Sequence, residues 1–372
     1  MINGRFRKTS RKKNCGSVMI EIDGGERSGS GTIVRDCVGF SVLKRQSLHL
    51  KNIRTKRDKP GLRTQHLRAI QACGDICSGS FTGGQVGSKE ITFTPGNGIR
   101  GGEFRWDIGT AGSTIMLAMT IIPVSLFAKE FSKYVITGGL FQDFAPSAFH
   151  LQKVLLPILN RMGAKLSLTI LRPGYVPQGG GIIEITVQPV QGSLKGIDMQ
   201  AQGNVEQIDG VALASLLKER KVAERMAAEC GKAFGGRGYP SKVKVVNDTK
   251  ENPAYRTASV QAGAALAIWA ETDHHCLIGS DMAGARGRSA EFIGKATAKN
   301  LLEDLDSGAT VDRHLADQLI PFAALAEGSS TFVVPRMTAH VDTRLWLARE
   351  ILGAKTEVRG NIVRIKGIGY KR

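Results

Sequence analysis

Leu352-Gly353-Ala354-Lys355-Thr356-Glu357-Val358-Arg359-Gly360-Asn361-Ile362-Val363-Arg364-Ile365 reads as a helix end followed by a tight hairpin. A glycine and a small residue close the helix. The runs that follow alternate apolar and polar residues, as strands with one buried face do, and Gly360-Asn361 supplies the turn. The same order occurs twice upstream. Met162-Gly163-Ala164 leads through 165–170 to 182–187, and Ser78-Gly79-Ser80 leads to the strand-like Glu90-Ile91-Thr92-Phe93-Thr94. Such self-similarity is the mark of a structural repeat.

Two helical segments separated by a strand precede each hairpin. They cover 32–45 and 62–77 in the first unit, 111–128 and 147–161 in the second, and 315–326 and 341–351 in the third. The intervening strands fall at 48–53, 134–137 and 331–334. The expected fold is therefore α+β: three β-α-β-α-β-β units with helices packed on sheets. Gly79 and Gly163 are 84 residues apart, but Gly163 and Gly353 are 190 apart. The surplus predicts a small inserted α/β domain at 191–276, with a helix over 209–234 and strands at 242–246 and 258–271. The three-unit domain then comprises 17–190 and 277–372.

The composition agrees with a folded chain. Of 372 residues 42% are hydrophobic, 23% are charged and 45 are glycine, which excludes disorder and collagen. No apolar run approaches the roughly 20 residues that span a bilayer, and the N-terminus lacks the apolar core of a secretory signal. These features predict a cytoplasmic protein without a membrane partner, its six cysteines reduced and mostly in the core. A net charge of +18 favours polyanions such as nucleic acid. Six of the first 13 residues are basic, with Phe6 the one apolar residue among them, and 1–16 reads as a disordered basic arm.

Three places could carry phosphate chemistry. Ile53-Arg54-Thr55-Lys56-Arg57-Asp58-Lys59-Pro60-Gly61-Leu62-Arg63-Thr64-Gln65-His66 runs from a strand into a helix, joining cations to free N–H groups and a positive dipole end. The glycine-rich turns Asp23-Gly24-Gly25-Glu26-Arg27-Ser28-Gly29-Ser30-Gly31-Thr32, followed by Arg35, and Gly109-Thr110-Ala111-Gly112-Ser113-Thr114 also open helices. Neither matches the Walker A or dinucleotide pattern. His314, Asp317 and Gln318 share one helical turn. His340 stands where a strand gives way to a helix, where the dipole keeps an imidazole neutral and nucleophilic. Cys73 and Cys77, one helical turn apart, have no partner ligands nearby in sequence, and Asp273-His274-His275-Cys276 lacks metal-site spacing; both read as structural. His49 and His150 have no sequence neighbours that suggest a role.

Together these segments resemble the RNA 3'-terminal phosphate cyclase family from about residue 19 to 370. The most specific runs are Lys59-Pro60-Gly61-Leu62 with Gln65-His66-Leu67, Arg100-Gly101-Gly102, Gly109-Thr110-Ala111-Gly112-Ser113, Pro177-Gln178-Gly179-Gly180-Gly181, Leu315-Ala316-Asp317-Gln318-Leu319, and His340 with Thr343. The resemblance implies a ligase-class enzyme that uses ATP, with Mg2+ or Mn2+, to convert an RNA 3'-phosphate into a 2',3'-cyclic phosphate through adenylyl-histidine and RNA-adenylate intermediates. It implies His340 as nucleophile, His314, Asp317, Gln318 and Pro146 around the adenosine, and Arg35, Arg54, Arg57, Gln65 and His66 at the phosphate and RNA end. It leaves the metal ligands unassigned. Ser28 and Thr32 stand where the family has an acidic residue and a glutamine, Met119 where it has a polar residue, and Leu140-Phe141 where it has threonine and aspartate. Two rival readings are a non-catalytic cyclase-like RNA-binding protein of ribosome or RNA processing, whose kind lacks the histidine, and an enolpyruvyl-transferase-like enzyme of small phosphorylated metabolites, which has no use for so extended a positive field.

Overall fold

The computed structural model describes residues 19–372; the basic arm expected at 1–16 lies outside the described residues. The first unit is β1 (Ile20–Asp23), α1 (Gly31–Lys44), β2 (Leu48–Lys51), α2 (Thr64–Cys77), β3 (Ser80–Thr82) and β4 (Ile91–Thr94). The second is β5 (Gly102–Asp107), α3 (Thr114–Ser125), β6 (Ser132–Gly138), α4 (Ala148–His150), a π-helical turn at Leu151–Leu155, α5 (Leu156–Arg161), β7 (Lys165–Arg172) and β8 (Gly181–Gln188). Their sheets run β1-β2-β4-β3 and β5-β6-β8-β7. In each, the first strand is parallel to the second and the hairpin strands are antiparallel.

The third unit opens with two residues, β9 (Asp198–Met199), and is then interrupted. The interruption contains β10 (Val205–Ser215), α6 (Val222–Gly235), β11 (Ser241–Asp248), β12 (Gly263–Thr272), β13 (Leu277–Ala283) and α7 (Ala290–Asp306). These strands form their own sheet, β11-β10-β12-β13, with α6 and α7 packed on it and on each other. The chain returns through α8 (Leu315–Gln318), α9 (Ile320–Leu325), β14 (Ser329–Val333), α10 (Ala339–Leu347), a π-helical turn at Ala348–Leu352, β15 (Lys355–Arg359) and β16 (Ile362–Lys366). The sheet β15-β16-β14-β9 repeats the topology of the first two units, with β9 parallel to β14.

Two expectations are corrected. The insertion lies between β9 and α8, and its layer extends from Val205 to Asp306 rather than ending at 276. The helix expected from 209 is the strand β10 as far as Ser215, and helix begins only at Val222. Ile208, Val211, Ala212 and Ser215 have helical spacing, but Ile208, Gly210, Ala212 and Ala214 also alternate as a strand does. Pairing with β11 on one side and β12 on the other decides for the strand.

Helix α1 is buried from Gly31 to Leu43 and packs against α2, α3 and α10, so it is the axis on which the units meet. Each fully buried Ile, Val or Leu along it contributes on the order of 1.5–3 kcal/mol. Among the described residues no helix is long and apolar enough to cross a membrane.

Candidate active site

The units join in a ring, the start of each first helix meeting the second helix of the preceding unit. Ser113, N-cap of α3, donates its N–H to Gln65 Oε1 of α2 at 3.2 Å. Asp312, just before α8, meets His150 Nε2 of α4 at 3.0 Å. Thr32 Oγ1 of α1 lies 3.3 Å from His340 Nδ1 of α10. The first junction is a neutral amide contact. The second is sealed, since His150 and Asp312 are fully buried. Only the third joins a half-buried imidazole to a cluster of cations, and that singles it out as the candidate site.

His340 is the second residue of α10, whose N-cap Thr338 accepts the Val341 N–H. Desolvation holds its pKa below the ordinary imidazole value; Asp317 opposes this, while Arg344, Arg57 and Arg35 reinforce it. A neutral ring follows. Thr32 Oγ1 accepts from Arg35 Nη2 at 3.5 Å, and the tautomer with its proton on Nδ1, facing that oxygen, leaves the Nε2 lone pair free.

Beneath the ring lies a buried charge network. Arg344, one turn beyond His340, donates Nε–H to Asp36 Oδ2 at 2.9 Å, and both side chains are 4% exposed. Its Nη1 lies 2.8 Å from Asp317 Oδ2, an ionic contact outside hydrogen-bond alignment. Burial next to Arg344 lowers Arg35 to about 10, partly offset by Asp36 and Asp317. The glycine-rich turn is latched over α10. Ser28 N–H donates to Thr343 Oγ1 at 3.1 Å, and Arg27 pairs with Asp342 at 3.2 Å.

On the other side of α1, His66 Nδ1 accepts the Arg63 N–H at 3.1 Å, which assigns the remaining proton to Nε2. Burial and the nearby Arg35, Arg54 and Arg63 keep this ring well below its ordinary pKa. A Cβ on Gly31 would lie 2.0 Å from Nε2, so only glycine lets the ring approach the start of α1. Gln65 uses its Oε1 to accept the Ser113 N–H. Arg54, in left-handed conformation, donates Nη1 to Lys59 O and Gly61 O at 2.8 and 2.7 Å, stapling its own loop. Arg57 is exposed in that loop and contributes to the field at His340.

His314, Asp317 and Gln318 line one side of α8. Asp312 orders this helix, accepting N–H bonds from His314 and Leu315 at 2.8 Å and from Gly279 of β13 at 2.9 Å. Gln318 Oε1 is buried without a partner. Pro146 is buried next to Ser147, the N-cap of α4, and His150 of that helix meets the His314 ring edge-on at 5.8 Å. Leu140 and Phe141 belong to the core, Phe141 packing on Phe149 and Tyr175. Asp36, Arg344, Asp312 and His150 escape a sequence reading, because each partner is more than a hundred residues away.

The residues near His340 do not form a protein-held metal cage. Among the described residues no three His, Cys, Asp or Glu side chains are placed to hold an ion. Ser28 Oγ bonds to Ser30 Oγ, and Asp36, Asp317 and Asp342 are committed to arginines.

Fold and site define a class of protein: three-unit α+β chains in which helix starts of neighbouring units bring one histidine among a group of arginines. The family described as RNA 3'-terminal phosphate cyclase matches residues 26–358. Curated proteins of that name are 35% identical over 345 residues in Pyrococcus furiosus (92% of this chain, 96% of the relative), 34% over 348 in Archaeoglobus fulgidus (94% and 100%) and 33% over 343 in Methanopyrus kandleri (92% and 96%). The chain belongs to the RNA 3'-terminal phosphate cyclase family.

Proposed function

We propose that this chain is an ATP-dependent RNA 3'-phosphate cyclase working through an adenylyl-histidine at His340. The observation carrying this reading is an imidazole at a helix start, its Nδ1 3.3 Å from Thr32 Oγ1, whose charged form is disfavoured by burial and by three nearby arginines. Nε2 attacks the α-phosphorus of ATP, a P–N bond forms, and the bond to the bridging oxygen breaks to release pyrophosphate. An oxygen of the RNA 3'-phosphate then displaces the imidazole, giving RNA-adenylate. The neighbouring 2'-hydroxyl closes on the terminal phosphorus, losing its proton and expelling AMP.

Arg35, Arg57 and His66 Nε2–H are suited to the charge that builds on phosphate oxygens. The orphan Gln318 Oε1 is an acceptor suited to an adenine amino group, with His314, Asp317 and Pro146 as the other groups for the adenosine. The divalent ion, magnesium or manganese, travels with the triphosphate as part of the substrate.

Incubation with α-labelled ATP tests the first step. Label should stay on the protein through an acid-labile, alkali-stable bond and disappear in His340→Asn. As pH falls, labelling should persist below the ordinary imidazole pKa before His340 protonates. Label retained in His340→Asn would remove this residue from the reaction.

A further inference from the structure

Phe144 is fully exposed, in left-handed conformation at φ 62°, inside a loop whose next three residues, Ala145, Pro146 and Ser147, are buried. A bulky side chain at positive φ is rare, and an exposed phenyl ring forgoes the gain of burial, so two unfavourable features coincide in one residue. The loop is not loose. Asp143 on one side is gripped by Arg288 through two hydrogen bonds of 2.9 and 3.0 Å, and Ser147 N–H on the other donates to Asp281 at 2.7 Å. Such over-determination of an unfavourable conformation points to function.

The setting indicates what the ring is for. The loop begins at Gly139, whose carbonyl accepts the Thr114 N–H beside the Gln65–Ser113 contact, and it ends at α4, which reaches His314. The loop thus runs from one unit junction to another and reaches the His340 site through α8, whose Asp317 lies 2.8 Å from Arg344 and acts on His340. Arg286, exposed and in no ion pair among the described residues, stands two positions from the Arg288 that holds Asp143. The charge is unevenly distributed: 19–100 hold 13 Lys and Arg against 7 Asp and Glu, whereas 205–306 hold 14 of each. The first unit thus attracts a polyanion, and an exposed ring on a braced loop of the second unit offers a face on which a single-stranded base can stack.

We propose that Phe144 stacks a nucleobase of the RNA whose 3' end enters the His340 site. This rests on the cyclase reading for its ligand but involves no chemical step, so the two can be tested apart.

The full chain is titrated without ATP against a 5'-fluorescent single-stranded RNA ending in 3'-phosphate, in wild type and in Phe144→Ala, Phe144→Leu and Phe144→Trp. Binding should weaken about 5- to 150-fold in the Ala and Leu variants, the range for loss of one base–aromatic stack, and recover in Trp. The slope of affinity against salt should not change, since Phe144 releases no counterions. An RNA made abasic over its last nucleotides should bind all four proteins alike. Leu binding like Phe, or abasic RNA still separating the variants, would overturn the proposal. So would a matching fall in AMP labelling, which would assign the ring to ATP, or unchanged RNA affinity with altered self-association. Cyclisation without dependence on Phe144 would defeat this inference alone; Phe144-dependent binding without cyclisation would defeat the proposed activity alone.

Discussion

Removing either partner of the buried Asp36–Arg344 pair should destabilise the protein, and by unequal amounts. At 2.9 Å and an effective dielectric near 20 the gross attraction is about 6 kcal/mol. Most of it offsets the loss of water around two charges that are 4% exposed. Breaking such a pair costs about 3–5 kcal/mol, because the survivor is left uncompensated. In Asp36→Ala two buried guanidiniums, Arg35 and Arg344, lose the same carboxylate, and only Asp317 remains near Arg344. In Arg344→Met the carboxylate of Asp36 keeps Arg35 as a neighbour. Asp36→Ala should therefore cost about 4–5 kcal/mol and Arg344→Met about 2–3 kcal/mol. The double variant should cost less than the two singles together by about 1.5–3 kcal/mol. Urea unfolding at pH 7, followed by tryptophan fluorescence and circular dichroism, measures all three. Additivity within about 0.5 kcal/mol, or a greater loss in Arg344→Met, would refute the network as drawn.

Gly31→Ala should destabilise by about 1–3 kcal/mol despite the better helix propensity of alanine, because the new methyl would lie 2.0 Å from His66 Nε2; adding His66→Ala should relieve most of that cost in the same unfolding assay. Pairing across the His150–Asp312 contact raises His150 and lowers Asp312, so its stabilisation is complete between the two ordinary values, 3.8 and 6.5. It should fade as pH falls through the depressed Asp312 value and as pH rises through the elevated His150 value, and His150→Gln should flatten the alkaline part of a stability–pH curve. Arg54→Ala should cost about 1–2 kcal/mol of stability through its two lost carbonyl contacts, whereas Arg57→Ala should leave unfolding within about 0.5 kcal/mol of wild type. Arg57→Ala should nevertheless slow use of 3'-phosphate RNA, read in single-turnover transfer from adenylylated protein; the reverse pattern would exchange the roles of the two arginines.

The sequence by itself determined whatever short-range physics encodes. Gly163 and Gly353 take the left-handed conformation that ends a helix, the alternating runs after them pair as hairpins, and the surplus spacing announces an insertion in the third unit. The first unit departs in one detail, since Ser78 rather than Gly79 takes the left-handed position. His340 stood out as a candidate because a histidine between a strand and a helix has a local electrostatic meaning. Tertiary structure alone decided the rest. Two residues, Asp198 and Met199, carry too little pattern to read as a strand, and only the open edge of β14 makes them one. The run at 205–215 fits both periodicities until β11 and β12 close on it. Thr32 and Asp36 find His340 and Arg344 across 308 positions, and Asp312 finds His150 across 162. Such pairs have no local signature, because their energy arises only when ring closure of the three units removes water from both partners at once.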